Sequence, residues 1–153
     1  MIETLQLCTF RLDELCLGID VRKVHEVVSN RPLRAIPLAP PSVRGLISLR
    51  GQVIAGIDLR FCLGLAQVIG KNLWTNVIVK TSSGPLSLLV DEVSDVVEIE
   101  LEQIEPAPET WPPLIRQITT GVFPYQTRLI FMIDEEQVTR LAISTDAMSQ
   151  TIH

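Results

Sequence analysis

Apolar residues along this chain recur in short alternating or β-branched runs: Leu5 to Leu12, Leu15 to Ile19, Leu46 to Leu49, Val53 to Ile57, Asn76 to Thr81, Leu86 to Val90, Val96 to Ile99, Val122 to Phe123 and Leu129 to Ile133. Turn-forming residues separate them at Asp13-Glu14, Arg50-Gly51, Ser83-Gly84-Pro85 and Tyr125-Gln126. Many short strands with regular turns predict an all-β barrel or sandwich. Helical signals are sparse. Asp58 is placed to cap a helix over Leu59 to Leu63, and Asp134 one over Glu135 to Leu141, where two glutamates suit the positive helix end. Asp20 and Asp91 are each placed to cap a single turn, and the ten prolines break the remaining stretches into loops.

The pattern repeats. Gly45 to Asp58 lies against Gly121 to Asp134 without a gap, and both copies run into a predicted helix. Upstream, Leu15-Cys-Leu-Gly-Ile-Asp20 matches Leu86-Ser-Leu-Leu-Val-Asp91 at an offset of 71 residues (86 less 15). The chain therefore reads as two similar β units. Either alone is too small to bury much surface, so the two are expected to share an apolar seam with a groove between them.

Composition narrows the class. At 46% apolar and 20% charged residues, the 153-residue chain has the material for one folded unit. No run approaches the roughly 20 apolar residues that span a bilayer, and Met1-Ile2-Glu3-Thr4 lacks the basic start of a secretion signal, so a cytoplasmic protein without membrane insertion is expected. Cys8, Cys16 and Cys62 sit in apolar patterns without a CxxC pair, which suits buried reduced thiols. The net charge of −5 argues against a nucleic-acid partner, as does the lack of basic residues interleaved with the seven aromatics. The charge is uneven: residues 1 to 70 carry +2 and residues 71 to 153 carry −7, which points to two faces for different partners.

Catalysis requires a nucleophile, a proton carrier and an orienting group. His25 and His153 are the only histidines, and His25 in Val24-His-Glu-Val27 has no second histidine or CxxC beside it, so neither a catalytic nor a metal site is expected. Asp58, Asp91 and Asp134 each end an apolar strand and read as caps. Phosphate-cradling glycine loops are absent. A binding protein without cofactor remains.

Taken in order, Val24-His-Glu-Val27, Ile36-Pro37, Pro40-Pro41-Ser-Val-Arg-Gly45, Leu49-Arg-Gly51, Ile57-Asp-Leu-Arg60, Val90-Asp-Glu-Val93, Ile104-Glu-Pro-Ala-Pro108 and Gly121 resemble the CheW family of chemotaxis coupling proteins over roughly residues 5 to 141. The resemblance implies a single domain over 1–153 made of two packed SH3-like five-stranded barrels with a few short helices. The first would cover roughly 11–66 and the second roughly 73–141, with the N-terminal strand able to cross between them. It also implies a non-enzymatic adaptor that links the cytoplasmic tip of methyl-accepting chemoreceptors to the regulatory domain of the histidine kinase CheA. An adaptor of a related pilus or gene-regulatory array is the alternative. Receptor contact is expected at Val24 and Glu26, matching the family's Val-x-Glu segment, at Gly45, and at Leu49, Arg50 and Gly51, matching its Asn-Leu-Arg-Gly motif. Ser48 stands in place of that motif's Asn, and Ala55-Gly56 in place of a frequent Val-Pro.

Overall fold

A computed structural model describes residues 2–66 and 73–142. Among the described residues, ten strands form two five-stranded antiparallel-rich sheets. The chain runs through β1 (Thr4–Leu12), β2 (Leu15–Asp20), β3 (Val24–Pro32), β4 (Val43–Leu49), β5 (Gln52–Asp58), helix α1 (Leu59–Cys62), β6 (Leu73–Thr81), β7 (Gly84–Val90), β8 (Glu92–Glu100), α2 (Pro113–Ile118), β9 (Thr119–Tyr125) and β10 (Arg128–Ile133). A last helix, α3, occupies 135–142. The expected strands and the helices after Asp58 and Asp134 are all present. β3 and α2 are additions to the sequence reading.

The strand order is β3-β6-β7-β5-β4 in one sheet and β8-β1-β2-β10-β9 in the other. An isolated bridge closes each: Arg34 pairs with Leu46 and Glu105 with Val122. We call them the central barrel (β3 to β7) and the terminal barrel (β1, β2, β8, β9, β10). The expected division at 11–66 and 73–141 is therefore wrong. Each repeat consists of a hairpin followed by three strands, and each gives its hairpin to the other repeat's barrel. β1–β2 completes the terminal barrel and β6–β7 the central one.

Equivalent pairings fix the correspondence between repeats. β5 runs parallel to β7 with Gly56 opposite Ser87, and β10 runs parallel to β2 with Met132 opposite Gly18. The later hairpins thus superpose at the expected offset of 76 residues. The upstream hairpins correspond at 69 (87 less 18), so the match of Leu15–Asp20 to Leu86–Asp91 is out by two. A two-residue slip preserves which face each side chain takes, so the apolar pattern does not reveal it.

The exchanged hairpins have two buried faces, which is why they read as near-continuous apolar runs. On β1, Cys8, Phe10 and Leu12 enter the seam between barrels while Leu7 enters the terminal barrel. On β6 and β7, Val77, Val79, Leu88 and Val90 meet them across that seam. The seam cluster, joined by Leu59, Cys62, Ile115, Ile118, Val138 and Leu141 from the helices, is larger than either barrel's own core.

Each helix after a repeat reaches across to hold the tip of a hairpin. Asp58, fully buried, caps α1 by accepting from the Arg60 and Phe61 N–H groups. Arg60 then donates to Asp13 in the β1–β2 turn (2.6 Å), to Asp91 at the β7–β8 crossing (2.6 Å) and to the Ala66 carbonyl (3.1 Å). Burial works against its charge, and the hydrogen bonds to Asp13 and Asp91 outweigh that, leaving its pKa raised. The equivalent α3 residue, Glu136, accepts from the Ser82 backbone N–H (2.6 Å) and hydroxyl (2.8 Å) in the β6–β7 turn. Those bonds hold its carboxyl below the usual carboxylate range. Asp134 and Asp20 cap as expected, accepting from Glu136 N–H and Arg22 N–H. Asp91 does not cap a turn of its own. It binds Arg60 and accepts from the Asp13 N–H at 2.9 Å, so it braces the crossing between barrels.

Candidate functional site

The β4–β5 connection is a two-residue turn with Leu49 opposite Gln52. Arg50 and Gly51 both take left-handed backbone (φ 50° and 80°), the geometry that matches the twist of a tight hairpin. The turn carries the Arg50 side chain outward and back over β3, where Nη1 lies 2.8 Å from Oε1 of Glu26. His25 Nε2 is 3.9 Å from the same oxygen. Beneath this pair Leu49, Ile54, Ile78 and Pro85 make an apolar floor, with Lys80 and Gln52 at the edge of a groove of about 350 Å³. Arg50 is 72% exposed, so the ion pair adds at most about 1 kcal/mol to the fold. A paired cation and carboxylate over an apolar trough suit an amphipathic segment of a partner protein. Among the described residues no cluster of three or more His, Cys, Asp or Glu is arranged to hold a metal ion.

Of the six expected contact residues, Glu26, Leu49 and Arg50 line this groove together. Gly51 forms the turn beneath Arg50; a Cβ added there would meet nothing within 4 Å, so its role is conformational. Val24 is half-buried and packs inward on the seam cluster. Gly45 sits at the barrel closure, where a Cβ would come within 2.8 Å of the Arg34 carbonyl oxygen. Gly121 does the same work in the terminal barrel, against Ile104 and Glu105. Gly45→Ala should accordingly destabilise the protein by about 1–3 kcal/mol in urea unfolding, through overpacking at the closure. Sequence reasoning did not place His25, Lys80 or Pro85 in the groove they line. The groove lies on the face of the central barrel and not along the seam, where the expected groove was placed.

A second groove, of about 300 Å³, occupies the equivalent place on the terminal barrel. Asp95 stands where Glu26 does, Ser94 for His25, Tyr125 for Leu49, Gln126 for Arg50, Arg128 for Gln52, and Thr9 for Ile78. The cation above the trough has become an amide. Cys16 lines this groove and is half-buried, unlike Cys8 and Cys62, which are buried as expected. Burial raises the thiol pKa of Cys8 and Cys16, with Arg128 and Arg11 opposing it at Cys16.

Two closed β-barrels with exchanged hairpins, each presenting a grooved face, define a protein-binding module. The chain belongs to the CheW family: a CheW-like domain matches residues 6–142. It is 30% identical over 131 residues to a probable chemotaxis protein CheW of Rhizobium etli, covering 86% of this chain and 84% of that one. It is 29% identical to the chemotaxis protein CheW of Treponema pallidum, covering 86% and 80%. The crystal structure of the scaffolding protein TtCheW from Thermoanaerobacter tengcongensis matches with a TM-score of 0.77 at 29% identity, covering 88% of this chain and 87% of that one. The family resemblance and the two-barrel all-β architecture expected from the sequence both hold.

Proposed function

We propose that this chain is a chemotaxis scaffold without turnover of its own. It couples the cytoplasmic tip of chemoreceptors to the regulatory domain of the histidine kinase CheA, and so works in the cytoplasm. The observation that carries this reading is the convergence of Glu26, Leu49 and Arg50 on one groove of a CheW-family barrel. In this reading the receptor tip is a helix laid along the apolar floor. Arg50, exposed and poised on its turn, anchors it by turning donors from Glu26 toward the helix. A scaffold needs at least two sites, since a single site would make its partners compete. The second, diverged groove supports such a division of surfaces.

The test is binding of a purified receptor-tip fragment by isothermal calorimetry. Arg50→Ala should cost about 1–3 kcal/mol of affinity, the range of a truncated interface anchor, with the thermal midpoint nearly unchanged. Arg50→Lys should recover only part of it, because lysine lacks the planar fork of donors. Undiminished receptor binding by a folded Arg50→Ala protein would remove Arg50 from the site.

A further inference from the structure

His25 stands where a regular strand would not put it. Along β3, Val24 pairs with Val79 of β6 and Glu26 pairs with Ile78, so His25 is an extra residue that faces no counterpart across the ladder. On an unbroken strand, neighbouring side chains point to opposite faces. The bulge undoes that alternation, and His25 and Glu26 line the same groove. Bulges of this kind collect beside functional sites, where they re-aim a side chain.

The re-aimed imidazole shares a carboxylate with the anchor of the site. Glu26 Oε1 accepts from Arg50 Nη1 at 2.8 Å, and His25 Nε2 lies 3.9 Å from the same oxygen, too far to hydrogen-bond while Arg50 holds it. Among the described residues, Arg50 and His25 are the two groups able to carry positive charge within 4 Å of Glu26. Glu26 is the most covered of the three at 22% exposed, so leaving its charge without a counter-ion is costly. The remaining charged group at the groove is Lys80 on β6, while β7 contributes Gly84 and Pro85, which carry none. When Arg50 turns its donors to a partner, the carboxylate it leaves needs a second cation, and His25 is the neighbour placed to supply one.

We propose that His25 is a further residue of the partner-binding groove and makes receptor binding proton-linked: once protonated it takes over Glu26, and Arg50 is released to the receptor helix. The proposal rests on the coupling reading and names a regulation of that same site. A receptor that draws Arg50 away removes a positive neighbour from the imidazole and frees a negative one, and both changes favour the protonated ring. Binding therefore takes up a proton from solution onto His25. The sign follows by linkage. The added affinity is complete where the ring is protonated and is lost as pH rises through the histidine range, so receptor occupancy follows the pH around the protein.

Isothermal calorimetry of a purified receptor-tip fragment at about pH 6 and about pH 8 tests it. Binding should be about three- to fivefold tighter at the lower pH, the scale of a single exposed ion pair. Near neutral pH, titrations in phosphate and in Tris should differ in apparent enthalpy by the heat of taking up a fraction of a proton. His25→Gln, neutral throughout, should flatten the pH profile and abolish the uptake. His25→Lys, charged throughout, should also give a flat profile, and at about pH 8 it should bind more tightly than His25→Gln. His25 is half-exposed, so neither substitution threatens the fold. Binding of the unmodified chain that is independent of pH overturns the proposal. So does a pH profile or proton uptake that persists in His25→Gln, since it then belongs to other groups. Absence of binding at both pH values is a different failure: it overturns the coupling reading, and this inference with it.

Discussion

Truncating Phe10 to alanine is expected to lower stability by about 3–5 kcal/mol, the range for removing a large aromatic side chain from a packed core. Phe10 has no exposed surface and lies on the donated β1 strand, in the seam where β1 and β2 meet β6 and β7. Against a typical total of about 5–15 kcal/mol, that is a large share. The two tryptophans allow a sharper test. Trp74 is buried on β6 of the central barrel, and Trp111 stacks on Phe131 of the terminal barrel with ring centroids 4.0 Å apart. Trp111→Phe leaves a reporter of the central barrel and Trp74→Phe a reporter of the terminal one. In each background Phe10→Ala should shift the urea midpoint by the same amount, because each barrel is built partly from the other's repeat. Two separated transitions, with one barrel surviving the loss of Phe10, would show that the seam does not couple them.

Replacing Arg60 with methionine should cost about 2–3 kcal/mol. This falls at or below the 3–5 kcal/mol of a fully buried broken pair because Asp13 stays half-exposed. The deficit arises from what remains: Asp13 and Asp91 face each other beside a buried stem with no cation between them. Two follow-up measurements separate this cause from simple loss of packing. Adding Asp91→Leu to Arg60→Met should recover part of the loss, since it removes the repulsion between the two carboxylates that Arg60 had bridged. Acidification gives the second. The carboxylates left without Arg60 repel each other only while ionised, so the gap to the unmodified protein should narrow as pH falls through the carboxylate range. A gap that is the same at neutral and acidic pH would assign the loss to packing alone.

The strands were legible because most carry one buried face or two, and the hairpin turns because they need Gly, Asp or a left-handed residue. β3 was not. Its register shifts between Val24 and Glu26 and again between Val28 and Arg31, and each irregularity breaks the period of two that identifies a strand. Helix α2 hid behind Pro112-Pro113, which reads as a break; a proline at the first helical position is favourable, and the helix begins there. Hairpin exchange has no local signature. β2 and β7 have similar apolar sequences, and either would satisfy the strand beside it, so only the long-range pairing distinguishes donated from retained. Within the candidate site, Glu26, Leu49 and Arg50 came from the ordered motifs of the family resemblance. Gly45 came with them although its work is steric, because a motif does not say whether a residue touches a partner or lets two backbones approach. The residues of the second groove were missed because Gln126 and Asp95 no longer carry the charge pair that marks the first.

The exchanged hairpins also set the order in which the molecule can be completed during synthesis. The central barrel has all its strands once Val90 has been made. The terminal barrel lacks β10 until Ile133. The β1–β2 hairpin, made before the strands it pairs with across the terminal barrel, therefore waits for more than a hundred further residues, on the order of ten seconds at ordinary rates of elongation. For the first part of that interval Cys8, Phe10, Leu12, Leu17 and Ile19 have no seam to enter, until β6 and β7 are complete at Val90, and the edge of β1 has no β8 until Glu100. The hairpin that precedes the other strands is among the last to be fully housed, and a nascent chain is exposed to misassociation over this stretch.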